Sequence, residues 1–224
     1  DPPSPVTNTS SEVLLNNGTG WNPTSITIPN CHTNGMDISS TLCFALNGGE
    51  NGVELSDVNA DGLIDIVVAN QFHNSDVYIN NGTGWNRTAD WNYPKCNSSN
   101  FDLCFKSGSV RLSDLNGDGL PDIVKAIQNP GSGGVSEIWL NNGTGWEDGS
   151  STWKYPKCGD TGTFSFISPP GSPGYKDRGV RLIDINNDDL TVIVYANEIP
   201  GPPLSQETEI WLNNGTGWNL ASIT

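Results

Sequence analysis

The six-residue phrase Asn-Asn-Gly-Thr-Gly-Trp occurs four times in this chain, at Asn16 to Trp21, Asn80 to Trp85, Asn141 to Trp146 and Asn213 to Trp218. Successive copies lie 64, 61 and 72 residues apart. A second phrase keeps step with it: Asp57-Val-Asn59-Ala-Asp61-Gly62-Leu63-Ile-Asp65, Asp114-Leu-Asn116-Gly-Asp118-Gly119-Leu120-Pro-Asp122 and Asp184-Ile-Asn186-Asn-Asp188-Asp189-Leu-Thr-Val192. Two phrases with a shared period mark one structural unit written several times, and that limits the fold more than any local feature.

Within a unit the order is constant. A short alternating run (52–56, 109–113, 179–183) leads into the acidic loop. An apolar, β-branched run follows (66–69, 123–126, 192–195), then a variable loop and a third run (77–79, 137–140, 209–212). The Asn-Gly phrase supplies a turn, and a fourth run starts at its Trp. Short runs of period two, bounded by Gly, Asn and Pro, predict strands, and Asn-Gly between two of them predicts a hairpin. Each unit therefore reads as four antiparallel strands, the size of one propeller blade.

The acidic loop places short oxygen side chains at alternate positions, with glycine sixth in two copies. Such a loop suits a hard cation: calcium takes about six to eight oxygen ligands at about 2.3–2.6 Å and accepts irregular geometry. The expected ligands are Asp57, Asn59, Asp61, Leu63 and Asp65 in the first loop, and Asp114, Asn116, Asp118, Leu120 and Asp122 in the second. Leucine can contribute only its backbone carbonyl. Asp184, Asn186 and Asp188 form a weaker third set, because Asp189 replaces the glycine and Val192 the last carboxylate. A helical EF-hand would need a bidentate Glu at the twelfth position and flanking helices. The twelfth positions here are Val68 and Lys125, and the flanks are β-branched.

These loops, the unit length and the strand order resemble the FG-GAP or VCBS-type repeats of integrin-α-like β-propellers, some fungal lectins and bacterial toxin-complex shell proteins. The residues that carry the resemblance are Asp57, Asn59, Asp61, Gly62 and Asp65, with Asp114, Asn116, Asp118, Gly119 and Asp122. The literal Phe-Gly and Gly-Ala-Pro words of the family name are absent. The resemblance implies a calcium ion in the loop between the first two strands of each blade.

The formal charge of −15 argues against nucleic acid, whose binding is dominated by Lys and Arg on phosphates. No run approaches the roughly 18 apolar residues of a membrane span. The opening Asp1-Pro-Pro-Ser-Pro5 reads as an extended linker rather than a secretory leader. Of five cysteines, Cys31 with Cys43 and Cys96 with Cys104 flank corresponding inter-blade loops. They are expected as two local disulfides, which leaves Cys158 odd. Disulfides imply an oxidising, extracellular setting. Seven Asn-x-Ser/Thr sequons fit it as glycosylation candidates: Asn8, Asn17, Asn81, Asn86, Asn97, Asn142 and Asn214.

The strand count predicts an array that does not close. Residues 6–28 match only the third and fourth strands of a unit, whereas three later units have all four. The divisions are a half-blade and disulfide loop (1–49), two blades with intact loops (50–107 and 108–177) and a blade with a degenerate loop (178–224). The fold class is thus all-β, with tandem four-stranded blades in an open or partial propeller-type array. Partners are expected to be other copies of the chain or neighbouring repeats, with glycans or extracellular proteins as further possibilities. The two histidines, His32 and His73, belong to no catalytic pattern, so an enzyme is not expected. The expected role is an extracellular, calcium-stabilised structural or adhesive repeat protein within a larger assembly or filament. The alternative is a lectin-like carbohydrate binder, with Trp91 and Trp153 as its candidate stacking faces.

Overall fold

A computed structural model describes residues 13–26, 28–29, 44–46, 49–70, 75–88, 91, 93–94, 96, 104–105, 108–127, 135–153, 156, 165–167, 177–199 and 205–221. The expectations for Asn8, Cys31, His32, Cys43, His73, Asn97 and Cys158 fall outside these residues.

All regular structure among them is β. Three four-stranded antiparallel sheets follow one another, each in simple up-and-down order. The first holds β5 (Val53–Ser56), β6 (Asp65–Val68), β7 (Asp76–Asn80) and β8 (Trp85–Thr88). The second holds β9 (Val110–Ser113), β10 (Asp122–Ile127), β11 (Val135–Asn141) and β12 (Trp146–Asp148). The third holds β13 (Val180–Ile183), β14 (Val192–Ile199), β15 (Ser205–Asn213) and β16 (Trp218–Leu220). Ahead of them, β1 (Leu14–Asn16) and β2 (Trp21–Pro23) pair as a two-stranded sheet, the predicted half-blade. A small hairpin of β3 (Ala45–Leu46) and β4 (Gly49–Glu50) was not foreseen, because neither strand is long enough to show a period. Among the described residues the sheets form no closed barrel or ring.

The central strand of each full sheet is its most buried. Every residue of β6 and β10 is buried, which is why these strands read as continuous apolar runs rather than alternations. The registers are equivalent: Val67 faces Val77, Val124 faces Ile138 and Val194 faces Ile210 across the second and third strands. Close backbone approach sets the first strand. A Cβ on Gly179 would lie 1.9 Å from the carbonyl oxygen of Ala196, and one on Gly52 would lie 2.4 Å from that of Ala69.

Two of the three core clusters among the described residues lie between sheets; the third gathers Ile66 and Val68 with Ile28, Val53, Tyr78 and Trp85 on the first sheet. One cluster joins Val58, Val67, Ala69 and Val77, on the forward face of the first sheet, to Val110, Ile123 and Trp146 on the rear face of the second. Another joins Leu115, Val124, Ala126 and Ile138 to Val180, Ile193 and Tyr195 in the same way. Each inter-sheet segment seals its seam with a buried phenylalanine. Phe105 N–H donates to the Ala69 carbonyl (3.1 Å) and Phe166 N–H to the Ala126 carbonyl (3.0 Å). Cys96 and Cys104 are disulfide-bonded in the first of these segments, as expected.

Candidate metal centre and its supporting hairpin

All three acidic loops adopt one backbone form. The fourth and sixth positions are left-handed in each: Ala60 (φ 57°) and Gly62 (φ 85°), Gly117 (78°) and Gly119 (83°), Asn187 (59°) and Asp189 (64°). The third loop keeps the turn without glycine, because Asn and Asp are the residues that best tolerate this region. Local hydrogen bonds hold the form. The first Asp accepts the sixth-position N–H, from Gly62 to Asp57 (2.8 Å), Gly119 to Asp114 (2.8 Å) and Asp189 to Asp184 (3.1 Å). The third-position Asn donates its amide to the fifth-position Asp at 3.0, 2.9 and 2.7 Å in turn. That Asp accepts the seventh N–H in all three, at 2.8, 2.8 and 3.0 Å.

The ninth position behaves differently. Asp65 and Asp122 are fully buried. One oxygen of Asp122 accepts Leu115 N–H (2.9 Å) and the other accepts Asn141 N–H (2.7 Å). Asp65 takes Val58 N–H (3.0 Å) and Asn80 N–H (2.7 Å) in the same way. Each carboxylate therefore clamps its loop to the hairpin at the far end of the sheet, a function that loop spacing alone does not reveal. Burial raises the pKa of both, to about 7 for Asp122. The backbone bonds oppose that rise, while the neighbouring loop carboxylates add to it. Val192 fills the equivalent buried place in the third sheet with no oxygen to offer.

The hairpin is a second repeated device. The Asn-Gly phrase forms a four-residue turn in which Asn81 N–H donates to the Gly84 carbonyl (3.0 Å), with the same bond in the other three copies. The Trp that closes it donates its indole N–H to the eighth loop carbonyl: Trp85 to Ile64 (2.8 Å), Trp146 to Pro121 (3.0 Å) and Trp218 to Thr191 (3.1 Å). The leading Asn reaches the preceding sheet, with Asn141 donating to the Val58 carbonyl (2.9 Å) and Asn213 to the Leu115 carbonyl (2.7 Å). The sequon residues Asn17, Asn81, Asn142 and Asn214 sit exposed in these turns, each accepting the N–H and hydroxyl of the Thr two residues on. Asn86 is exposed on β8.

The aromatic expectation needs correction. Trp153 is only 4 % exposed and edge-packed on Trp218, with ring centroids 5.0 Å apart. Trp91 packs against the first inter-sheet core, edge-on to Trp146 at 5.1 Å. Both are seam residues: Trp153 offers no open face for a sugar ring, and Trp91 is half-buried.

The donor chemistry suits a hard cation. Positions one, three and five present two carboxylates and an amide at an exposed loop, and the seventh residues, Leu63 and Leu120, have only a backbone carbonyl to add. Ion pairs among the described residues, Arg87–Asp76, Lys125–Glu137 and Arg181–Asp177, leave the loop carboxylates without a cationic partner. Among the described residues no three His, Cys, Asp or Glu side chains gather into a metal-holding group, so amide and carbonyl oxygens would have to complete the set. The second and third loops also face each other across a cleft of about 470 Å³ lined by Asp114, Asp118, Asp184, Asp189 and Thr191.

A family model described as an FG-GAP-like repeat matches residues 57–125, from the first acidic loop into β10. The stretch therefore carries such a repeat. Among solved structures, one of the Tc holotoxin pore of Photorhabdus luminescens is similar at 19% identity and a TM-score of 0.44. The match covers 77% of this chain and 7% of that one, so this chain spans a small fraction of its length. No curated protein matches.

Proposed function

We propose that the chain is an extracellular, calcium-stabilised structural repeat module that serves as a component of a larger assembly. The observation that carries this reading is the threefold loop: one backbone form, carboxylates without cationic partners among the described residues, and a place always between the first and second strands. Calcium there would be held by Asp57, Asn59, Asp61 and the Leu63 carbonyl, and by Asp114, Asn116, Asp118 and the Leu120 carbonyl. Asp65 and Asp122 would back each site while clamping the hairpin. Asp184, Asn186 and Asp188 would make a weaker third site. The ion supplies positive charge that offsets convergent carboxylates and pins the turn.

The chain's own residues carry the rest of the role. Trp146 and Trp218 lock each hairpin to its loop, and Asn141 and Asn213 tie one sheet to the next. The work is mechanical, and no residue is assigned a part in catalysis. The Cys96–Cys104 disulfide supports an oxidising location, where calcium is abundant. No helix among the described residues is long and apolar enough to cross a membrane. Glycans on Asn17, Asn81, Asn86, Asn142 and Asn214 would project from exposed sites and leave the seams undisturbed.

Scanning calorimetry with calcium and with chelator tests the reading. Ion at about one hundred times its dissociation constant stabilises the native state by about 2.7 kcal/mol per site, so chelation should lower the melting temperature by several degrees. Asp61→Ala and Asp118→Ala should each reproduce part of that loss. An unchanged melting curve in chelator would refute the calcium role.

A further inference from the structure

Each seam between sheets is built from two fixed halves. The forward half contributes the second loop residue, two residues in or directly after the second strand and one of the third: Val58, Val67, Ala69 and Val77, then Leu115, Val124, Ala126 and Ile138. All eight are buried. The corresponding residues of the third sheet are Ile185, Val194, Ala196 and Ile210, and none of them is buried. Ile185 is 48% exposed where Val58 and Leu115 are fully covered. Among the described residues nothing fully covers the forward half of the third sheet: Ile185 and Ala196 are exposed, Val194 and Ile210 half-buried.

The rear half is also on display, at β1 and β2. The registers align Leu14 with Trp139 and Trp211, Trp21 with Trp146 and Trp218, and Asn16 with Asn141 and Asn213. Those tryptophans pack in the two seams. Leu14 is 44% exposed and Trp21 66% exposed. Trp21 is the most exposed large hydrophobic side chain among the described residues. One molecule thus carries both halves of an interface that it already makes twice internally.

We infer that the forward face of the third sheet binds the rear face of the two-stranded sheet of a second copy, head to tail. Trp21 of the incoming copy would cover Ile185, as Trp146 and Trp218 sit in the existing seams. Asn16 would donate to the Ile185 carbonyl, as Asn141 and Asn213 do to Val58 and Leu115. The contact is heterologous, since each molecule uses two different surfaces, so it propagates instead of closing on a dimer. The inference rests on reading the chain as part of an assembly, and it names the partner as self. Because β1 and β2 supply two of the four strands of a rear half, the contact belongs to the small, weak class of interfaces.

Sedimentation velocity of the whole chain in calcium tests this, over micromolar to millimolar protein, with salt to screen the net charge of −15. The wild type should grow with concentration past the dimer. Trp21→Ala and Ile185→Asp should each weaken association by at least about thirtyfold, the loss expected of an anchor residue. Both positions are exposed, so both variants should melt with the wild type. An equimolar mixture of the two should stop at dimers, because Trp21→Ala retains an intact forward face and Ile185→Asp an intact rear face. A wild type that stays monomeric while calcium still shifts its melting would overturn the self-contact and leave the calcium reading standing. It would assign both faces to neighbouring repeats or another protein. Association indifferent to either variant, or a mixture that forms no dimer, would equally overturn it.

Discussion

The second and third sheets share a topology, a register and a loop backbone, yet they solve the same junction differently. In the second, Asp122 ties loop to hairpin from a fully buried position, and Leu115 is covered by the following sheet. In the third, Val192 sits in the clamp position, Asp189 stands in for the glycine, and Ile185 meets solvent. The loop form survives both substitutions. What specifies it is therefore the alternation of Asp, Asn and Asp with two left-handed residues, all satisfied within five residues of chain. The ninth carboxylate belongs to a different layer of the design, the fastening of the loop to the sheet.

The largest effect should come from the hairpin tryptophans. Trp146→Ala empties a buried seam position and should cost about 3–5 kcal/mol. Trp218→Ala, at the half-buried counterpart, should cost less, and urea denaturation midpoints would rank them. Equal losses would mean that the third sheet is as well fastened as the second.

Next is the clamp. Asp122→Val copies the third sheet and leaves the N–H groups of Leu115 and Asn141 without their acceptor, which should cost about 2–4 kcal/mol. A loss near zero would show that burying the carboxylate cancels the bonds it accepts, as its raised pKa would allow.

The cation comparison should be smaller and more selective. Calorimetric calcium titration should find two tight sites and a weaker third. Asp118→Ala should remove a tight site and Asp188→Ala only the weak one. A third site as tight as the others would show that Asp189 compensates for Val192. The smallest effect is expected from Gly119→Asp, which imitates the third loop. A Cβ there meets open space, so only the left-handed backbone opposes it, at about 1 kcal/mol or less. Thermal melting of the calcium-free protein would measure it.

Most of the sheet architecture was readable in advance because strands, turns and loops obey short-range rules. Alternating runs, continuous apolar runs and the Trp that closes each turn placed the twelve strands of the full sheets to within a few residues, apart from the long extensions of β14 and β15. The Asn-Gly phrase placed the hairpins, whose four-residue turns are held by Asn side chains. The half-blade was legible as a missing pair of strands. Trp153 is buried against expectation because exposure depends on what lies across a seam, which no local pattern encodes. No local pattern marks Phe105 and Phe166 as seam residues either, since their burial comes from the two sheets on either side.

The sequence alone determined the unit, its four strands, the acidic loop and the turn, since the loop and turn are closed by hydrogen bonds between residues a few positions apart and the strands pair with their neighbours within one unit. Tertiary structure alone decided which face each sheet buries, that Asp65 and Asp122 are clamps, and that Ile185 and Trp21 are left uncovered. Those outcomes rest on contacts across 15 to 98 residues, from Asn80 on Asp65 to Asn213 on Leu115. At such separations burial is a property of the packed array, and identical local phrases can end up inside a seam or at its open end.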